Sequence, residues 1–252
     1  MGIDRRAQDV HALQPDPLEP IAEEVERYVA ALQEFAESDP DLAGRQAWNQ
    51  IRLAGMRGGR RRSEVLDSLN RIFRLGTVPE PPLDGPYDGL VVTTRTFALT
   101  DPLFRVLVSI WMPWVGKRFD AETMSGDNLM LPSASAPAKL VWPRYQFQDI
   151  GEGRYAAFRF RSYAGTGTTD RDRQVLKIDY DSAENPDFLI RDILDELVEI
   201  VPRVYLGKVL VRFSEHIRWL GAYFALRPPA PGSPKSVRAL KGGPTGRITR
   251  HP

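Results

Sequence analysis

Apolar positions in the N-terminal third of the chain recur at the spacing of short helices. Between residues 21 and 35 they return every three or four positions, and Asp39-Pro40 ends this stretch. A weaker helix is predicted around Trp48, and a third begins with Ser63 as its N-cap and ends at Gly76. We therefore predict two or three short helices within residues 18–77, too small for a core of their own and docked on the C-terminal part of the chain.

The pattern changes beyond the prolines at 79–82, where β-branched residues and apolar–polar alternation take over. Strands are predicted for residues 89–97, 154–163, 174–181, 208–213 and 218–226, the last two as a hairpin. An antiparallel arrangement is favoured because the chain has too few helices for parallel crossovers. Closure of the sheet would remove its edges and could leave room for one small ligand. We therefore expect an α+β protein with an antiparallel β-barrel over residues 83–227.

Four segments complete the predicted organisation. Residues 103–112 are apolar nearly all round and come after Thr100-Asp101-Pro102, which indicates a buried helix or one that lies across an apolar surface. Residues 187–200 fit a helix or a strand, and periodicity alone leaves both open. Residues 1–17 are expected to form a flexible arm, and residues 228–252, rich in Pro, Gly and basic residues, a disordered tail.

Composition excludes several classes of site. The net charge is only +1, so no overall field attracts nucleic acid, and the absence of cysteine removes disulfides and thiolate metal sites. The three histidines, His11, His216 and His251, make a histidine-based metal or haem site improbable. We expect no cofactor, no metal and no integral membrane association. Without a signal-peptide pattern, a cytoplasmic location is predicted, and the oligomeric state stays open.

Two short motifs resemble those of a known group of proteins. Residues 85–89 read GPYDG and residues 114–119 read WVGKRF, similar to the GXWXG and WXGKRF elements of the uncharacterised bacterial GXWXG-type lipocalin-like proteins. Tyr87 stands where that family has a tryptophan. The resemblance implies a lipocalin-like or calycin-like barrel, but that family supplies no activity that could be carried over.

Charged residues on two predicted strands are the first candidates for a binding site. Arg159, Arg161, Lys177 and Asp179 could line a pocket and hold a carboxylate or phosphate. The alternative is that these side chains face water and form weak cross-strand pairs, as is common in half-solvated antiparallel sheets.

A second candidate group surrounds the WVGKRF motif. Trp111 and Trp114 could hold an apolar ligand while Lys117 and Arg118 meet its polar end. A core tryptophan pair beside a solvated basic turn is the alternative. Gly126-Asp127-Asn128 is predicted to be a turn rather than a site, although Asn128 could bond a ligand oxygen. Tyr87 and Tyr223 complete the set of candidate ligand-binding residues.

Three functional hypotheses are compatible with these residues. The first is a small-molecule binding protein that holds an apolar or amphipathic ligand inside the barrel. The second is a cofactor-free isomerase, cyclase or hydrolase using an acid–base pair drawn from Lys177, Asp179, Tyr180 and Glu196. The third is an interaction module that uses the helical segment to hold a partner. The sequence leaves open whether the protein is catalytic.

Overall fold

The computed structural model describes residues 22–56, 62–80, 82–94, 113–212, 214 and 217–229. The predicted arm, the predicted helix at 103–112 and almost all of the predicted tail lie outside the described residues, as does the candidate Trp111.

In the described N-terminal residues, three helices precede the sheet, as the periodicity predicts. They are α1 (Ala22–Phe35), α2 (Pro40–Met56) and α3 (Arg62–Leu75). Asp39 caps α2, since its Oδ1 accepts a hydrogen bond from the backbone N–H of Leu42 at 2.9 Å. The predicted helical segment is therefore confirmed.

Among the described residues, nine antiparallel strands come after the helices, and eight of them close into a barrel. The strands are β1 (Gly85–Thr94), β2 (Trp114–Asp120), β3 (Ser125–Met130), β4 (Gln148–Asp149), β5 (Tyr155–Thr166), β6 (Gln174–Asp179), β7 (Ile193–Val201), β8 (Val204–Arg212) and β9 (Arg218–Arg227). Their order in the sheet is β3-β2-β1-β9-β8-β7-β6-β5-β4, and an additional pairing of β3 with β5 closes the barrel and leaves β4 outside it. The short helix α4 (Ser135–Val141) lies between β3 and β4.

The predicted antiparallel barrel is confirmed, and two local predictions are resolved. The segment left open as helix or strand contains β7, so the strand alternative is right for residues 193–200. The predicted turn at 126–128 is wrong, because these residues pair with both β2 and β5 within β3. Two-sided pairing supplies the backbone with hydrogen bonds that turn-forming residues would otherwise find locally.

Two apolar clusters lie on opposite sides of the barrel wall. One, here called the interior cluster, contains residues from every strand of the closed barrel and therefore fills its lumen; Phe160 and Ile178 are examples. The other joins the three helices to the outer faces of β1 and β6 to β9, with Leu69 and Leu206 among its members. Strand alternation separates the two, since neighbouring residues point to opposite faces.

In the described part of the chain, no helix combines the length and the apolar character needed to cross a membrane.

Candidate functional site

A group of polar side chains lies inside the barrel, surrounded by the interior cluster. We call Lys117, Asn128, Tyr180 and Asp195 the lumen cluster. Lys117 Nζ donates to Asp195 Oδ2 at 2.8 Å and to Asn128 Oδ1 at 2.9 Å, and it also contacts Tyr180 Oη. Tyr180 Oη donates to Asp195 Oδ2 at 3.0 Å. All four residues are at most 1% exposed, so this is a charged network at the centre of an apolar interior.

The ion pair between Lys117 and Asp195 spans the lumen. Lys117 belongs to β2 and Asp195 to β7, and these strands are four places apart in either direction around the eight-stranded barrel. They therefore stand on opposite walls. Asn128 is the direct neighbour of Lys117 on β3, and Tyr180 is the first residue after β6. The long, flexible side chain of Lys117 reaches across the lumen to Asp195 on the opposite wall.

Burial shifts the proton affinities of the lumen cluster. Desolvation lowers the pKa of Lys117, an effect that the charge and hydrogen bond of Asp195 oppose. Desolvation likewise raises the pKa of Asp195 against the opposing influence of Lys117 and Tyr180, and burial raises that of the Tyr180 hydroxyl well above its usual value. Both members of the ion pair are thus pushed toward their neutral forms, a condition common among functional sites.

Two polar atoms of the lumen cluster have no hydrogen-bond partner among the described residues. They are the amide nitrogen of Asn128 and Oδ1 of Asp195, and both are buried. The orientation of the Asn128 amide is fixed, because its oxygen accepts from Trp114 Nε1 at 3.0 Å and from Lys117 Nζ, which can only donate. One donor and one acceptor are therefore left for a further group, and buried groups of this kind normally have partners.

Aromatic side chains enclose the ammonium group of Lys117. It lies 5.0 to 5.7 Å from the ring centres of Trp114, Phe160, Tyr180 and Phe224. Three of these rings cover glycines of the wall: Trp114 covers Gly89, Phe160 covers Gly126 and Phe224 covers Gly207. A Cβ at Gly207 would lie only 2.2 Å from Phe224 Cζ. Around the lumen cluster, the barrel is thus filled by its own side chains.

An irregularity in β5 lies beside the lumen cluster. The pairing of β3 with β5 shifts register between Gly126 and Asn128, which produces a bulge in β5 opposite Asp127. Phe158, on the bulged strand, has a φ of 54°, a left-handed conformation that is unfavourable for a bulky residue. Its backbone N–H donates to Tyr145 Oη at 2.5 Å, and the two rings stack with their centres 5.2 Å apart. Such strain often occurs at functional sites.

Three of the predicted ligand-binding residues lie in the lumen. Tyr87 packs edge-on against Phe119 and Tyr205, Trp114 donates to Asn128, and Lys117 belongs to the lumen cluster. The structure thus brings together part of the group predicted around the WVGKRF motif. Their role in binding stays a prediction.

The other described candidates lie on the outer face of the wall. Arg118 pairs with Asp127 at 2.8 Å, and Lys177 pairs with Glu196 at 3.0 Å. The side chain of Arg161 is 68% exposed and 3.9 Å from Asp179. Arg159 and Tyr223 are outside the lumen as well, the former exposed and the latter buried under the helices.

These outer positions fit the alternative in which the charged side chains of the two strands lie outside the lumen. Alternation places Phe158 and Phe160 of β5, and Leu176 and Ile178 of β6, in the lumen, so the charged residues between them point outward. The acid–base set is divided in the same way: Tyr180 is inside, whereas Lys177, Asp179 and Glu196 are outside.

Sequence reasoning overlooked Asp195 and placed Asn128 in a turn. A usable signal did exist: once residues 193–201 are read as a strand, Asp195 falls on the same face as Ile193 and Leu197. A carboxylate on an otherwise apolar face requires a buried partner. That partner, Lys117, is 78 residues away in the sequence, so its identity could not be read from spacing.

No cluster of three or more His, Asp or Glu side chains arranged to hold a metal ion occurs among the described residues.

Comparisons with known proteins give no family. No family model matches the chain, and no curated protein matches it. A crystal structure of a protein from Thermomonospora curvata is similar over 70% of this chain and 99% of its own length, with 19% sequence identity and a TM-score of 0.38. The antiparallel barrel implied by the GXWXG-type resemblance is present, whereas membership of that family stays a prediction.

Proposed function

We propose that this protein binds a small molecule inside its barrel, with a polar group of the ligand against the lumen cluster. The observation that carries the proposal is that a donor of Asn128 and an acceptor of Asp195 are both unmet among the described residues, although both side chains contact the Lys117 ammonium. Each unsatisfied buried polar group costs about 1–3 kcal/mol. A ligand group that accepts from Asn128 and donates to Asp195 would recover both costs, so a carboxamide, a protonated carboxyl or a hydroxyl suits the site.

The ligand enters at one end of the barrel in this proposal. We call the end at which β1 finishes and β2 begins the upper end. The partly exposed members of the interior cluster include Tyr145, Phe147 and Tyr155 around the β3–β5 connection and Leu189 in the β6–β7 connection, both at the upper end. Tyr180 opens the latter connection, so the lumen cluster lies toward that end. The apolar body of the ligand would rest on these aromatic side chains.

Binding at the lumen cluster requires one enclosing ring to move. The rings of Trp114, Phe160 and Phe224 stand over wall glycines, and rotation of one of them would free the space beside Lys117. The ligand then substitutes its own apolar surface for that of the ring. Hydrophobic burial is retained, while the two unmet polar atoms gain partners.

Two matched probes test the polar specificity. 2-Naphthamide both donates and accepts hydrogen bonds, whereas 2-acetonaphthone has nearly the same shape and only accepts. Isothermal titration calorimetry should give about tenfold tighter binding of the amide, because the ketone leaves Asp195 Oδ1 unpaired and about 1.4 kcal/mol corresponds to a factor of ten. The double variant Lys117→Met/Asp195→Leu, which removes the acceptor together with its ionic partner, should abolish this preference, and Asn128→Leu should weaken both probes alike. Lys139→Met, on the exposed surface of α4, should leave both affinities unchanged.

Native mass spectrometry of protein purified from its own host provides an independent test. A retained small molecule that is lost in Asn128→Leu would support the proposal. A bare protein mass together with no saturable binding of either probe would overturn it. Equal affinity for amide and ketone would overturn the assignment of the polar group to Asn128 and Asp195.

A further inference from the structure

We infer that Lys117 binds an aldehyde or ketone covalently, as an imine, inside the barrel. This inference rests on the proposed function, since the carbonyl compound must first occupy the lumen. It goes further by naming the chemical class of the ligand and the atom that holds it. The observation behind it is the grouping of an amine, a carboxyl and a phenol within hydrogen-bond reach of one another in a buried apolar interior.

The lumen cluster contains the groups that imine formation needs. The ammonium of Lys117 first passes a proton to Asp195, 2.8 Å away, and the free amine attacks the carbonyl carbon. The carbonyl oxygen takes a proton from Tyr180, which regains one from the nitrogen, giving a neutral carbinolamine. Asp195 then protonates the hydroxyl, water leaves, and a protonated imine remains beside the Asp195 carboxylate. The net reaction joins amine and carbonyl with loss of one water.

The surroundings favour this outcome over simple ion pairing. Four aromatic rings lie within 6 Å of Lys117 Nζ, so the site resists water that would hydrolyse an imine. Burial also favours the neutral amine, which is the nucleophilic form. Asn128 Nδ2, unmet among the described residues, can donate to the carbonyl oxygen and hold it for attack. Asp195 finally serves as the counter-ion of the protonated imine.

Other described lysines are in different surroundings and serve as internal controls. Lys139 is exposed on α4, while Lys177 and Lys208 lie outside the barrel and are paired with Glu196 and Asp170. Lys139 reports the reactivity of an ordinary surface amine. Lys177 and Lys208 report that of partly or fully buried, ion-paired amines without access to the lumen.

Borohydride trapping with 2-naphthaldehyde tests the inference on the native protein. The aldehyde has the shape of 2-naphthamide, and reduction fixes any imine as a stable naphthylmethyl amine that peptide mass spectrometry can locate. We expect one modification, at Lys117, at aldehyde concentrations that leave Lys139 unmodified. Tyr180→Phe should slow trapping by on the order of 10²-fold, the usual contribution of a positioned proton donor. Lys117→Arg should abolish it.

The possible outcomes separate this inference from the proposed function. If 2-naphthamide binds but borohydride traps no imine of 2-naphthaldehyde at Lys117, the covalent step is wrong and reversible binding stands. If neither the amide nor the aldehyde occupies the lumen, both proposals fail. Modification confined to Lys139 or spread over all lysines would also overturn the inference. The peptide map needs only the native protein, so the test holds even if the variants do not fold.

Discussion

Two buried ion pairs lie on opposite faces of the same barrel wall, and their surroundings differ. Outside, Lys208 contacts Asp170 and donates to Asn70 Oδ1 at 2.7 Å. These contacts join β8 to the β5–β6 connection and to α3. Inside, Lys117 and Asp195 join two walls of the barrel and contact Asn128 and Tyr180, which also lie in the lumen. Only the outer pair ties the barrel to a helix.

The outer pair is embedded in a larger polar layer, here called the outer network. Thr168 and Lys177 both bond Glu196 Oε1, at 2.6 and 3.0 Å. Arg74 of α3 also reaches Asp170, at 3.0 Å. The network leaves one acceptor, Glu196 Oε2, without a partner among the described residues. The lumen cluster lacks partners for an acceptor, Asp195 Oδ1, and for a donor, Asn128 Nδ2, together, which is the combination expected for a binding site.

Breaking the outer pair should have the largest effect on stability. Lys208→Met leaves Asp170, which is 4% exposed, with the partly exposed Arg74 as its remaining ionic partner. It also removes the contact of the Lys208 ammonium with the Phe73 ring, 4.2 Å from its centre. Removal of one partner of a buried pair costs about 3–5 kcal/mol. Urea unfolding should show this loss, with Lys139→Met within about 0.5 kcal/mol of the native protein. A loss below about 1 kcal/mol would refute the structural role of the outer pair.

Replacing both partners of a pair should affect stability differently for the inner and the outer ion pair. Lys117→Met alone should destabilise by about 3 kcal/mol, and the double variant Lys117→Met/Asp195→Leu should recover most of that, because an apolar pair avoids the desolvation penalty. Lys208→Met/Asp170→Leu should recover little, since Arg74 and Asn70 lose partners as well. Denaturant unfolding of the single and double variants measures the free energy of unfolding that each double variant recovers.

The interpretation of the lumen cluster depends on the result of this cycle. A double lumen variant that is as stable as the native protein but no longer binds 2-naphthamide would show that the ion pair serves binding rather than folding. If neither double variant recovers stability, the inner pair serves folding as the outer pair does, and the contrast between them is wrong.

The sequence sufficed for the fold because the relevant patterns are local. Helical periodicity within residues 21–76 and alternation within residues 154–181 reflect which face each residue buries, and both are confirmed. β2 and β3 went unpredicted because Gly116, Gly126, Asp127 and Asn128 are typical turn residues. Pairing on both sides makes them strand residues, and Gly126 leaves room for the Phe160 ring, which no local pattern reveals.

The site was less predictable because it depends on register and closure. Lys117 was a candidate through its motif, but the motif gave no partner. Asp195 and Tyr180 reach it only when β7 and β6 stand across from β2 in the closed barrel. Conversely, Lys177 and Asp179 carry groups suited to acid–base chemistry but lie on the outer face of the wall. A shift of one residue in the alternation decides which face a side chain occupies.

Glycines on the two sides of the wall offer a smaller test of packing. Gly207→Ala should destabilise by about 1–3 kcal/mol, because the new methyl would lie 2.2 Å from Phe224 Cζ in the lumen. Gly44→Ala is the matched control: its methyl would have ordinary contacts at 3.6 Å between α2 and the barrel, so the helix should gain about 0.5–1 kcal/mol. Thermal unfolding compares them. A neutral Gly207→Ala would mean that the lumen yields easily, as ligand entry requires.

Acid titration should give the smallest effect and distinguish the two aspartates by sign. Burial alone would raise the pKa of Asp170, but hydrogen bonds and charge from Lys208, Thr169 and Arg74 outweigh it and hold the pKa below its usual value. A lowered pKa stabilises the fold above the unfolded value, and this contribution is lost as the pH falls through the folded pKa. Asp195, whose pKa is raised by burial, binds its proton more readily in the folded state, so acidification favours the fold there.

Between about pH 5 and pH 3, the stability advantage of the native protein over Asp170→Asn should therefore shrink, while its stability relative to Asp195→Asn should not fall. Urea midpoints across this range measure both differences, and a parallel decline in the two would show that the lumen carboxyl is held by its ion pair as firmly as the outer one.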